Sequence, residues 1–328
     1  MNAELILFSG SSHPELAQRI ADQMGLPLGR SNSHRFSNEN VMVRLEDNVR
    51  EKDVFVIQTS SSPVNDHLVE LLIFIDAIKY ASAARITAVL PYYPYCRSDK
   101  KDEPRISVAA RLVADLLQTA GADRVLSMNL HSPQIMGFFH IPVDQLLAAP
   151  IFFDYFDRTL FRQKSRKADW VLVFGDAGAA KAFAYYADEL GLPVAIMDKA
   201  RTDHSERPVV RQVIGDVRNK ACLIVDDEIT SGGTLVEAAI RLKEEGARRI
   251  LAAAVHPVLS GNAVEKLVKS PIERVIVGNT LPVQHKIQAH RKRFEVLDLS
   301  PLFAKAIRCI HDGTSMSALF PPSVRRRG

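Results

Sequence analysis

The chain has 328 residues, long enough for two ordinary domains, and 47% of them are hydrophobic while only 7% are aromatic. A core rich in Ala, Val, Leu and Ile suits helices packed on parallel sheets. The formal net charge of +4, without a basic stripe, gives no ground for a nucleic-acid partner. The one dense basic run, Arg325–Arg327, reads as a solvated tail. Cys96, Cys222 and Cys309 lack metal-like spacing, so no metal knuckle or disulfide is expected and a reducing compartment follows. The start, MNAELILFSGSSH, lacks the features of a signal peptide, and no apolar run reaches bilayer length. The expectation is a soluble, cytoplasmic protein with no membrane partner.

Short β-rich runs alternate with helical patterns along the chain. Strands are expected at 4–10, 53–59, 85–93 and 124–131, with helices at 12–25, 65–81 and 107–120. The pattern then restarts. Strands are expected at 170–176, 193–199, 221–227, 249–255 and 274–280, with helices at 177–190, 234–246 and 261–269. This is βα repetition twice over, hence α/β with two parallel-sheet domains. The boundary is expected near 146–150. The segment 200–216 starts polar and charged and ends in the alternating VVRQVI, so it reads as a loop followed by a short strand.

In open parallel sheets ligands sit beyond the carboxyl ends of strands, so the polar residues there carry most weight. One stretch stands out: CLIVDDEITSGGTL, residues 222–235. An apolar strand delivers Asp226 and Asp227, then Thr230, Ser231, Gly232, Gly233 and Thr234 turn into a helix. Glycines allow close approach to backbone amides, and a helix N-terminus adds unpaired donors and partial positive charge. With three hydroxyls, this is a cradle for a monoester phosphate. The paired carboxylates can accept hydrogen bonds from a diol such as a ribose. The pattern therefore reads as a sugar-phosphate site. No Walker A pattern occurs; GDAGAAKA at 175–182 has the wrong spacing.

VDDEITSGGT resembles the phosphoribosyl-pyrophosphate loop of the type I phosphoribosyltransferase superfamily. FSGSSHPELAQRIADQMGLPLG, RFSNEN, PYYPYCRSDKKDEPR, LHSPQIMGFFHIPVD and GDAGAAK, in that order over residues 5–320, resemble the ribose-phosphate pyrophosphokinase family. The resemblance implies two tandem phosphoribosyltransferase-like domains. These would be residues 1–148 with the ATP segments and 149–308 with the ribose 5-phosphate loop. A segment 309–328 would pack back on the first, and its HDGTSMSALF is similar to a stretch involved in phosphate and ADP regulation. The implied reaction moves a diphosphoryl group from ATP to the C1 hydroxyl of ribose 5-phosphate, giving 5-phosphoribosyl 1-pyrophosphate and AMP. Positioning and charge stabilisation would supply most of the acceleration.

By the same resemblance, Mg²⁺ would be held by His131 and Asp176, directly or through water. Lys199 and Arg201 would stabilise the transition state from a closing loop, Arg201 also touching ribose 5-phosphate. Ribose 5-phosphate would be bound by Asp226, Asp227, Thr230, Ser231, Gly232, Gly233 and Thr234. ATP would be bound by Phe36, Asn38, Glu39, Asn40, Arg97, Ser98, Lys101, Asp102 and His131, with Phe36 stacking on the purine. The Phe-bearing loop is supplied by a neighbouring subunit in the family, which implies a homo-oligomer, dimer-based and up to a hexamer. Three positions depart from the family pattern. Thr230 stands where an acid is usual, Asn40 where Glu is usual, and Ser98 where Gln or Lys is usual. Two readings stay beside an active synthetase: an inactive regulatory paralogue, or a phosphoribosyltransferase using the same loop.

Overall fold

The computed structural model describes residues 3–161, 164–200 and 209–325, with side chains described at 3–161, 167–198 and 212–325. Arg201, Arg326 and Arg327, and the side chain of Lys199, lie outside these. The chain divides into two compact units, neither of which is one continuous stretch. One comprises 1–147, 280–282 and 299–319; the other comprises 148–279, 283–298 and 320–328.

The first unit contains β1 (Leu5–Ser9), α1 (Pro14–Met24), β2 (Ser31–Arg35), β3 (Val41–Leu45), β4 (Asp53–Ile57), α2 (Val64–Tyr80), β5 (Arg85–Leu90), α3 (Ala109–Ala120), β6 (Arg124–Met128) and β7 (Val143–Leu146). The second contains α4 (Ala149–Thr159), β8 (Trp170–Phe174), α5 (Ala177–Ala182), α6 (Ala184–Leu190), β9 (Val194–Ala200), β10 (Val209–Ile214), β11 (Ala221–Glu228), α7 (Gly233–Glu244), β12 (Arg249–His256), α8 (Ala263–Lys269), β13 (Arg274–Gly278), α9 (Gln284–Ile287) and β14 (Phe294–Leu297). The chain then returns to the first unit as α10 (Ser300–Asp312) and ends in the second with α11 (Pro322–Arg325).

Each unit is built on a parallel sheet. The first runs β1-β4-β5-β6-β7, with β2 and β3 apart as an antiparallel hairpin. The second runs β10-β9-β8-β11-β12-β13-β14, parallel except for β10 against β9. The central strands read as unbroken apolar runs because both faces are covered; every residue of β4 and β8 is buried. The two units repeat one another: β1, β4, β5, β6 and β7 correspond in order and neighbours to β8, β11, β12, β13 and β14. The difference comes after the first strand of each. In the second unit β9 pairs with β8 on the side away from β11. That reversal of direction opens a crevice at the carboxyl ends of β8 and β11.

α10 shows how the returning chain is held in the first unit. Its Leu302, Phe303, Ala306, Ile307 and Ile310 are buried and it packs against α1, whose Leu16, Ala17, Ile20 and Ala21 form the matching stripe. Loss of the fully buried Phe303 side chain would cost about 3–5 kcal/mol. At the far end, Arg85 Nη2 donates to Ile310 O at 3.0 Å, and His311 Nδ1 lies 2.8 Å from Oδ2 of the buried Asp53.

Several local outcomes differ from the sequence reading. The helix expected over 177–190 breaks at Phe183, the junction of α5 and α6. Phe183, Tyr185 and Tyr186 are all buried, and a straight helix would spread them over about 160° of its circumference; the break turns all three inward, with Tyr186 4.8 Å from Phe153. The β2–β3 hairpin, whose SNSHR has no apolar alternation, went unpredicted, as did the strands β7 and β14 and the helices α4 and α10. The alternating VVRQVI does form a strand, β10.

Candidate functional site

The second unit's crevice is where the strand ends converge. Val225 of β11 is the register partner of Phe174, the last residue of β8, so Asp226 and Asp227, which continue β11 along β12, lie at the same edge as Gly175 and Asp176. Asp226 Oδ1 accepts from the Asp227 amide at 2.9 Å, and Asp227 and Glu228 are each only 9% exposed. Asp176 is exposed, and its Oδ1 accepts from the Ala179 amide at 2.8 Å, capping α5.

The loop after β11 turns its carbonyls toward the protein. The Ile229 carbonyl accepts from the Leu259 amide at 2.9 Å and that of Thr230 from the Ser260 amide at 3.0 Å. Gly232 then sits at φ +72° as the residue before α7. That left-handed backbone favours glycine, and a side chain there would otherwise have room. Gly233 is different. Its φ is not positive, and an added Cβ would meet nothing nearer than Ser231 Oγ at 3.8 Å, so the protein itself does not demand glycine.

Among the described residues no side chain caps α7, a helix of 12 residues. The first of its amides to reach a carbonyl behind it is that of Val236, onto Gly232 O at 3.0 Å. The amides of Gly233, Thr234 and Leu235 thus form the open N-terminus, and the hydroxyls of Ser231 and Thr234 are exposed beside it. Such an end accepts an anion, helped by the helix dipole. Upstream, Cys222 is fully buried in β11, where burial pushes its thiol up to about 12. It is core, as expected. All three cysteines are free thiols.

In the first unit the nucleotide candidates lie on two loops. Phe36 to Asn40 form the tip of the β2–β3 hairpin, closed by Phe36 N to Asn40 O and Glu39 N to Phe36 O, both 2.9 Å. Glu39 takes φ +69°. Phe36 is 45% exposed, with its ring edge-on to His34 at 4.9 Å. Asn38 Oδ1 accepts from the Asn40 amide at 3.2 Å, so that oxygen serves the turn. The stem is tied to α2 by Arg35 Nη1 donating to Asp66 Oδ2 at 2.6 Å.

The second loop comes after β5. Arg97, Lys101 and Asp102 are exposed there, but Ser98 is engaged: its hydroxyl donates to Ser107 O at 3.1 Å and accepts from the Ala109 amide at 3.2 Å. Ser98 holds the two ends of the loop together at the start of α3. His131 is exposed just beyond β6, the parallel neighbour of β5, so it shares an edge of the sheet with that loop. Lys199 is in β9, its backbone in register with Val210 of β10; Arg201 lies outside the described residues.

The donor set fits magnesium by its chemistry. Asp176, Asp226 and Asp227 offer hard oxygen ligands at one edge. Among the described residues no three His, Cys, Asp or Glu side chains converge into a ready-made metal cluster. Mg²⁺ suits such an edge because it keeps several waters and binds through one or two carboxylates plus phosphates. Glu228 and the turn at 256–260 were missed in the sequence; the turn's left-handed Leu259, at φ +46°, leaves no residue-type signature.

Similarity to known proteins agrees with this geometry. Residues 5–121 match the N-terminal domain of ribose phosphate pyrophosphokinase, and residues 201–321 match the phosphoribosyl synthetase-associated domain. The ribose-phosphate pyrophosphokinase of Deinococcus radiodurans is 48% identical over 96% of this chain and 98% of its own. Ribose-phosphate pyrophosphokinase 4 of Saccharomyces cerevisiae is 45% identical over 96% of this chain and 94% of its own. The crystal structure of phosphoribosylpyrophosphate synthetase from Mycobacterium smegmatis superposes with a TM-score of 0.86 at 40% identity, covering 94% of this chain and 99% of that one. The expected architecture of two phosphoribosyltransferase-like domains is thereby shared. With relatives matched over nearly their whole length, the chain belongs to the ribose-phosphate pyrophosphokinase family.

Proposed function

We propose that this enzyme transfers the diphosphoryl group of ATP to the C1 hydroxyl of ribose 5-phosphate, releasing AMP and 5-phosphoribosyl 1-pyrophosphate. The observation that carries the reading is the uncapped start of α7 beside the strand-end carboxylates of β11. There the 5-phosphate would lie on the amides of Gly233, Thr234 and Leu235 with the hydroxyls of Ser231 and Thr234, and Gly233 would let it approach. Asp226 and Asp227 would accept from the ribose 2- and 3-hydroxyls. Thr230, in place of the usual acid, would keep a hydroxyl contact without charge.

Phe36 would stack on adenine, Asn38 and Asn40 would bond its edge, and Arg97 and Lys101 would meet the triphosphate. Bound Mg²⁺, held through Asp176 and His131 with water, would neutralise phosphate charge. Lys199 and Arg201 would stabilise charge as it develops on the transferring group. Among the described residues no helix is long and apolar enough to cross a membrane, and the free thiols suit a reducing compartment. The exposed Phe36, with exposed Leu112 and Leu116 on α3, favours self-association.

The deciding assay is AMP release from ATP with Mg²⁺, with and without ribose 5-phosphate. Release only with ribose 5-phosphate, and abolished by EDTA, is expected. No turnover with ATP, CTP, GTP or UTP would favour the inactive regulatory reading. Pyrophosphate release from 5-phosphoribosyl 1-pyrophosphate and a free base would favour the phosphoribosyltransferase.

A further inference from the structure

Behind the phosphate loop lies a turn with two chemically distinct sides. Leu259 is buried at φ +46°, a conformation that a side chain of this size rarely takes and that the surroundings must hold. From it, two successive amides, Leu259 and Ser260, donate to the Ile229 and Thr230 carbonyls of the phosphate loop at 2.9 and 3.0 Å. Two successive carbonyls, Val258 and Leu259, accept from Lys286 Nζ at 2.8 and 3.3 Å. Lys286 stands on α9, a short helix started by its own amide donating to Val283 O at 2.9 Å. Burial lowers its pKa.

We propose that Lys286 is a positioning residue for ribose 5-phosphate, acting on the 229–234 loop through the Val258–Ser260 turn. The ammonium neutralises two carbonyl dipoles that converge on one point, which favours the left-handed conformation of Leu259. That conformation aims both amides at the loop. With the carbonyls of Ile229 and Thr230 fixed on the protein side, the amides at the start of α7 are left to face a ligand. The relay rests on the function proposed above, since it assigns ribose 5-phosphate to that loop. A residue bonded to backbone carbonyls would thus set the affinity of a site it does not touch.

The test compares Lys286→Met with Lys286→Arg. The Met variant keeps the apolar stem and removes the donors. Its KM for ribose 5-phosphate should rise about tenfold, the size of one lost charge-assisted hydrogen bond, with the KM for ATP unchanged. Hydrogen exchange at the Leu259 and Ser260 amides should quicken, and the Arg variant should restore both readings. An unchanged KM and unchanged exchange in the Met variant would overturn the relay. Equal rises in both KM values with a lowered melting temperature would also overturn it, leaving Lys286 a stabilising residue only. Should Lys286→Met not fold, Lys286→Gln, whose shorter neutral amide cannot bridge both carbonyls, takes its place, and a wild-type KM there is equally fatal. Absence of ribose 5-phosphate-dependent AMP release from the wild-type enzyme would sink the functional reading instead, while the exchange comparison still tests the relay.

Discussion

The β4–α2 and β11–α7 connections occupy the same place in the two units, yet their chemistry is opposite. In the first unit Thr59, Ser60 and Ser61 are 1%, 8% and 8% exposed. The Thr59 hydroxyl donates to Thr280 O at 2.7 Å, its amide donates to Ser12 Oγ at 2.8 Å, and Ser61 Oγ donates to Ser12 O at 3.2 Å. Beneath them Gln58 Nε2 donates to Oε2 of the buried Glu70 at 2.7 Å. The neighbouring glycine is demanded by the protein, because a Cβ on Gly10 would lie 2.3 Å from Gln58 Oε1. In the second unit the hydroxyls of Ser231 and Thr234 are exposed, and among the described residues no side chain caps the helix and no atom requires Gly233 to be glycine. The Thr59 and Ser61 hydroxyls of the first connection are bound within the protein, while the Ser231 and Thr234 hydroxyls of the second stand exposed at the start of a helix.

That contrast can be broken by substitution. The largest effect should come from Gly233→Val. It adds bulk where the protein is open, so the melting temperature should hold, while kcat/KM for ribose 5-phosphate should fall about 100-fold, the scale of a misplaced substrate. Full activity would mean that the open space is not a ligand site. Next, Gln58→Ala leaves the Ser12 amide without its acceptor and takes from Glu70 the donor it has beside Ser11, and should lower the unfolding free energy by about 2 kcal/mol in urea titrations. The KM for ribose 5-phosphate should not move; a specific rise would make the first connection a binding site too. Smallest, Ser231→Ala removes one exposed hydroxyl and should raise that KM about fivefold without a change in stability. Ser61→Ala, its counterpart, should do the reverse.

The expected strands are the ones with continuous apolar runs, because burial on both faces of a parallel sheet leaves a mark on each residue. The unpredicted hairpin β2–β3 lacks such a mark: SNSHR is mostly exposed, and its stem is fastened by an ion pair of Arg35 with Asp66, residues far apart in the chain. The loop proposed to hold phosphate stands out in the sequence because aspartates, hydroxyls and glycines sit within nine residues. Ser98 shows the limit of such reading. The family resemblance put it among the ATP-binding residues, and only the fold shows that its hydroxyl also closes a loop.

The chain's local chemistry determined the alternation of strands and helices, the acid pair, and the turn of hydroxyls and glycines. Tertiary structure decided which strand ends share an edge. It placed β8 against β11, so that Asp176 leaves the sheet beside Asp226 and Asp227, and returned α10 to the first unit. It also set Lys286 behind the 229–234 loop, its ammonium on two backbone carbonyls and the turn's backbone amides on two more. Every residue but proline carries both groups, so their partners leave no trace in residue identity, and only the folded chain shows which of them meet.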